Sequence, residues 1–169
     1  MLNIKYGPWQ GASSYGVASS LVPTTSDEST KLAAMRFQDP YGVETELPAG
    51  LIGRVSVEGG ETVVDLASST VANVIIASSY SDSSQSGKID FYYLIDGVVA
   101  ECYGNYDTAQ TYTVGSYLTY IPSGTNQGKL TPVSNYSSQP IVAMVVEAPE
   151  NAANDDVMTI KTLFQAEGA

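Results

Sequence analysis

From Leu51 onward the chain is cut by turn residues roughly every 8 to 12 positions, and the pieces between the cuts are short and apolar. Pieces that short leave no room for a well-formed amphipathic helix, whereas strands of four to eight residues fit them well. The spacing is that of an antiparallel sandwich or barrel. Abundant Val, Ile and Thr with 12 Tyr fill the pieces, and 15 Gly and 8 Pro supply the cuts.

Two of the cuts predict specific pairings. Leu51–Glu58 and Glu61–Leu66 flank Gly59-Gly60. A two-residue hairpin there sets Arg54 opposite Asp65 and Val55 opposite Val64, matching charge with charge and apolar with apolar. Asp90–Ile95 and Val98–Tyr103 flank Asp96-Gly97, a dipeptide suited to the positive φ angles of a type I′ turn. A hairpin there sets Leu94 opposite Val99 and Phe91 opposite Cys102. Further strands are expected at Val71–Ala77, Thr111–Val114, Tyr117–Ile121, Leu130–Val133, Ile141–Glu147 and Val157–Phe164. The fold class is therefore all-β: an antiparallel β-sandwich or a jelly-roll-like β-barrel.

Residues 1–48 read differently. They are rich in Ser, Thr, Gly and Pro, with scattered large anchors and no sustained period. Residues 1–48 are expected to form an extended N-terminal arm, and residues 49–169 the sandwich or barrel domain. One helix candidate lies at about Ser26–Met35, with Thr25 and Glu28 as the halves of a capping box. Asp39-Pro40 blocks its extension. The arm carries the single Trp, and large aromatics are favoured interface anchors. Ile4, Tyr6, Trp9 and Tyr15 are accordingly the expected partner-binding residues.

Composition excludes several chemistries. Seven Lys and Arg stand against 18 Asp and Glu, a net charge of −11, and the seven are scattered. Binding to nucleic acid or an anionic membrane needs clustered cations, so neither is expected as a partner. There is no histidine, which removes Ser-His-Asp triads, Cys-His pairs and His-based metal sites. A single cysteine, Cys102, rules out an internal disulfide and reads as a small buried hydrophobe. The 18 carboxylates show no spacing that selects a hydrolytic pair. No enzyme activity and no cofactor are expected. No run of about 18 apolar residues occurs, and MLNIKYGPWQ lacks the layout of a signal peptide, so synthesis in a cytoplasm is expected.

Two near-motifs dissolve on inspection. Ser123–Leu130 reads SGTNQGKL, close to a phosphate-binding loop. Its glycines are one residue too near, Leu130 replaces the hydroxyl residue, and a strand follows where a helix must open. A hairpin turn between Tyr117–Ile121 and Leu130–Val133 is the simpler reading. Asp82, Ser84, Ser86 and Gly87 match the first half of a calcium loop, but Tyr93 stands where a bidentate Glu is required. A solvated loop is expected, with a weak cation site at Asp82 and Asp90 left open. The crowd of Tyr80, Tyr92, Tyr93, Tyr103, Tyr106, Tyr112, Tyr117 and Tyr120 divides between strand filling and interface use.

The C-terminal third carries a layout of its own. Gly115 and Leu118 lead to Gly128, Lys129 and Leu130; Pro140, Ile141, Val142, Val145, Glu147 and Pro149 follow; Thr159, Ile160 and Lys161 close it. This order of strands and turns over residues 110–165 resembles the capsid decoration (cement) proteins of tailed bacteriophages. The resemblance implies a non-catalytic virion protein. Its partner would be the major capsid protein on the outer face of the head, often as a homotrimer, and its place of synthesis the host cytoplasm. A tail or head-fibre protein and a carbohydrate-binding β-sandwich module remain the alternatives.

Overall fold

The computed structural model describes residues 2–6, 35–36, 49–58, 61–68, 72–79 and 89–163. The strands are β1 (Leu2–Tyr6), β2 (Met35–Arg36), β3 (Ile52–Glu58), β4 (Glu61–Leu66), β5 (Val74–Ser79), β6 (Ile89–Tyr93), β7 (Val99–Cys102), β8 (Tyr117–Tyr120), β9 (Leu130–Pro132), β10 (Ala143–Glu147) and β11 (Met158–Thr162). Among the described residues the only helical element is one 3-10 turn, Ala152–Asn154. The helix expected at 26–35 falls outside them except for Met35, which is in a strand. The Gly59-Gly60 turn and the loop holding Asp82 also fall outside.

Two sheets form a sandwich, so the all-β expectation holds, as the sandwich of its two forms. One sheet has the order β1-β7-β11-β10-β8-β9 and the other β2-β4-β3-β5-β6. All pairs are antiparallel except β2 with β4. The inner faces share one core, in which Ile52 and Ile75 meet Ala100, Cys102, Leu118, Leu130, Val145, Met158 and Ile160. The β3/β4 register sets Arg54 opposite Asp65 and Val55 opposite Val64, as the charge and apolar pattern predicts. The β8/β9 hairpin also forms, pairing Leu118 with Pro132 and Tyr120 with Leu130.

The Asp96-Gly97 turn does not make a hairpin. β6 pairs with β5 in the five-stranded sheet, while β7 lies between β1 and β11 in the six-stranded one. The turn therefore carries the chain from one sheet to the other. Leu94 and Val98, on either side of it, are 5% and 0% exposed. Burying both in one core draws the chain across the sandwich. Thr162 secures the crossing: its carbonyl accepts from Gly97 N at 2.9 Å, and its Oγ1 accepts from Val98 N at 3.0 Å and donates to the Ile95 carbonyl.

A second expectation fails at Thr111–Val114, which forms no strand. Tyr112 is drawn inward instead. Its hydroxyl donates to the carbonyls of Asp107 and Leu130, and its ring packs edge-on to Tyr106 at 5.1 Å. The backbone of Thr113 is closed into a local turn, its carbonyl accepting from Ser116 N at 3.0 Å and its amide donating to Ser116 Oγ at 3.4 Å, which leaves neither group for a sheet ladder.

Part of the expected arm belongs to the sheet. β1 forms its edge, with Leu2 opposite Cys102, Asn3 opposite Glu101 and Ile4 opposite Ala100.

Candidate functional site

The near-motif SGTNQGKL ends in a packing glycine. Gly128 has φ +83°, and its carbonyl accepts from Ile52 N at 2.8 Å. A Cβ there would stand 3.0 Å from the Ile52 carbonyl oxygen and 3.2 Å from Leu66 Cδ2. The turn is pressed onto the opposite sheet and has no cradle for a phosphate. Cys102 is fully buried and its Sγ lies 3.5 Å from the Met158 carbonyl. Burial pushes its thiol up to about 12, with partial relief from a hydrogen bond to Asn105. A thiol held neutral in this way is a poor nucleophile.

The tyrosines divide by burial. Tyr106, Tyr112 and Tyr120 are buried. Their hydroxyls donate to the carbonyls of Asp156 at 2.6 Å, Asp107 at 2.9 Å and Ser68 at 2.8 Å. Tyr92 is half-buried, and Tyr93, Tyr103 and Tyr117 are exposed. Tyr80 lies outside the described residues.

The outer face of the six-stranded sheet gathers two surface features. On β8, Tyr117 meets Tyr136 edge-on at 6.1 Å and 85°, and Met144 of β10 lies opposite Tyr117 in register. Tyr136 is 65% exposed, so this ring pair stands in solvent. Exposed rigid aromatics of this kind are the usual anchors of protein interfaces. Tyr136 escaped the sequence reading because it sits in a polar turn, Asn135–Ser138, flanked by no apolar pattern.

The second feature is acidic. Glu101, Glu147, Glu150 and Asp156 line an open cleft of about 420 Å³ beside β7, β10 and β11. Lys5 of β1 reaches its rim, with Nζ 2.9 Å from Glu101, and Asn3 Nδ2 donates to the same carboxylate at 3.2 Å. Those hydrogen bonds, led by the one from Lys5, hold the Glu101 carboxyl below its ordinary value. Glu147 accepts from the Thr159 hydroxyl, and Asp156 from the Asn151 amide. No group of three or more potential ligands is placed to hold a metal ion among the described residues.

Of the expected contact residues, Ile4 and Tyr6 lie in β1, opposite Ala100 and Val99. Trp9, Tyr15 and Asp82 lie outside the described residues. Asp90 is placed in β6, paired with Ser78 of β5.

No family model and no curated relative matches this chain. Among solved structures, one that it resembles is the head fiber gp8.5 N base in bacteriophage phi29. The TM-score is 0.46 at 12% identity, over 73% of this chain and 92% of that one. A likeness this small carries neither a fold assignment nor a function. Among the described residues no helix is long and apolar enough to cross a membrane.

Proposed function

We propose that this protein is a non-catalytic structural component of a tailed-bacteriophage particle, binding the outer face of the head shell as a decoration protein and reinforcing it. The observation that carries the reading is the placement of the segment that resembles such proteins. Its strands β8, β9, β10 and β11 lie side by side as one block, β11-β10-β8-β9, and the block bears the exposed Tyr117–Tyr136 pair. A shell-binding protein stabilises the assembled head by mass action, because it binds that state and not the dissociated subunits. Two rigid aromatics, Tyr117 on the sheet face and Tyr136 in the turn after β9, provide contact area at low entropic cost. Trp9 and Tyr15 extend the contact along the arm, and the working stoichiometry is a homotrimer.

The test is a gold-labelled antibody against the recombinant protein, applied to particles from a lysate of the source culture. Labelling over particle heads is the expected result. Labelling of tails or fibres would keep the virion role and overturn the decoration role. Unlabelled particles would overturn both, and glycan binding would then become the reading to test.

A further inference from the structure

β7 takes its outer pairing from residues almost a hundred positions away in the chain. Leu2, Asn3 and Ile4 are paired with Cys102, Glu101 and Ala100, and β1 is the edge of the sheet. Removing β1 would expose the outer row of β7 amides and carbonyls beside the buried Val99, Ala100 and Cys102. An edge of that kind is a template for another strand.

We propose that the β7 edge is a docking site for the β1 strand of a second copy of this chain, so that Leu2–Tyr6 is exchanged between subunits. The proposal does not depend on where in a particle the protein sits.

Three observations select this occupant. The first is charge. β7 bears Glu101 at this edge, and the sheet face beyond it is acidic too, through Glu147, Glu150 and Asp156 on the β10/β11 side. A chain of net charge −11 repels its copies in general, and only seven of its residues are basic. One of these, Lys5, is on β1 and pairs with Glu101. β1 therefore carries the matching charge that most of the surface lacks.

The second is the locality of the ties. The side-chain hydrogen bonds and ion pair of Asn3 and Lys5 both end on one residue, Glu101. Leu2 adds a contact to the core beside its partner Cys102. All of these groups travel with β1 or stay with β7, so exchange preserves every one. Exchange of an identical element is a low-cost route to an oligomer for this reason.

The third is chain length. Residues 7–34 join β1 to β2. At full extension that stretch reaches on the order of 90 Å, enough to span to a neighbouring subunit. Pairing within one chain through a long connection has an effective concentration that falls steeply with length, from millimolar values for short linkers. On a crowded surface a neighbour's β1 competes on similar terms.

Cys102 supplies the test. It is the one cysteine of the chain and lies opposite Leu2. Cross-strand pairs in an antiparallel ladder fall in the range a disulfide spans. Leu2→Cys protein, refolded over a wide range of concentration and oxidised with diamide, is run on a non-reducing gel. The expected result is covalent oligomers that dominate at high concentration, a closed ring giving one sharp band and an open chain a ladder. Because Leu2 touches the core, a second variant uses the exposed pair: Asn3→Cys with Glu101→Cys in a Cys102→Ser background. A disulfide confined to the single chain at every concentration, in either variant that folds, overturns the proposal. So does the absence of any disulfide.

Discussion

Asn105 Nδ2 donates to the Gly50 carbonyl at 3.1 Å, and a Cβ built on Gly50 would fall 2.4 Å from that same nitrogen. The two residues are in van der Waals and hydrogen-bond contact across 55 positions of sequence. Asn105 is fully buried and Gly50 has φ +98°, a conformation costly for any residue with a side chain. Gly50 N also donates to the Ile76 carbonyl at 2.7 Å, so the junction ties the entry to β3 to both β5 and the turn after β7.

Gly50→Ala is therefore expected to destabilise the fold by about 2–4 kcal/mol, from backbone strain and overpacking together. Chemical denaturation of the variant and the parent measures it. A loss under about 0.5 kcal/mol, the size of an ordinary surface change, would mean the junction relaxes freely.

Tyr106→Phe removes the donor to the Asp156 carbonyl while leaving the ring packed on Tyr112. A loss of about 1–2 kcal/mol is expected, the cost of an unsatisfied carbonyl at a partly buried site. Equilibrium unfolding in urea reads it, and an unchanged midpoint would show that water replaces the hydroxyl.

Alkaline titration follows from the same two rings. Burial and the nearby Asp155 charge raise the Tyr106 hydroxyl to about 12, and burial with Asp107 raises Tyr112 as well. An unfolded tyrosine ionises near pH 10. The folded state thus holds its protons longer than the unfolded one, so the stabilisation is complete below about pH 10 and is lost as pH rises toward 12. Thermal melts across that window should fall with pH. The double variant Tyr106→Phe, Tyr112→Phe should flatten the fall.

Asp155 holds a left-handed conformation, φ 58° and ψ 38°, at the end of the 3-10 turn, and its Oδ1 accepts from Gly104 N at 2.8 Å. Asn tolerates that backbone and keeps an acceptor, so Asp155→Asn should be nearly neutral. Asp155→Ala loses the acceptor and keeps the strain, and should cost about 1–3 kcal/mol. Equal losses for both would mean the carboxylate charge, rather than backbone and acceptor, is what matters.

The attachment of β1 should weaken in acid. Glu101 is held below its ordinary value by Lys5 and Asn3, so its contribution is present above the unfolded value and is lost as pH falls through the folded one. Amide exchange at Asn3 and Lys5, corrected for intrinsic rates, should become faster relative to β10 amides as pH falls through the carboxylate range. Uniform behaviour of the two strands would show that Glu101 does not hold β1.

Much of the fold is legible without coordinates. The β3/β4 register follows from Arg54 with Asp65 and Val55 with Val64, and the β8/β9 hairpin from a turn between two apolar runs. Cys102 reads as core because it sits among apolar neighbours in a strand. The exposed Tyr117–Tyr136 pair was not legible, because sequence does not tell which ring of a Tyr-rich sheet turns outward.

The sequence by itself determined the β class, the β3/β4 and β8/β9 pairings and the absence of histidine chemistry. These depend on turn geometry, two-residue alternation and composition, all carried within a few residues. Only the tertiary structure decided that Asp96-Gly97 crosses between sheets, that Thr111–Val114 forms no strand and that Leu2–Tyr6 completes the β7 edge. A turn dipeptide specifies a change of direction, but the strand it leads to is chosen by core burial. The partners that decide it, Thr162 for the crossing and Glu101 for β1, lie 60 to 100 residues away, beyond the reach of any local pattern.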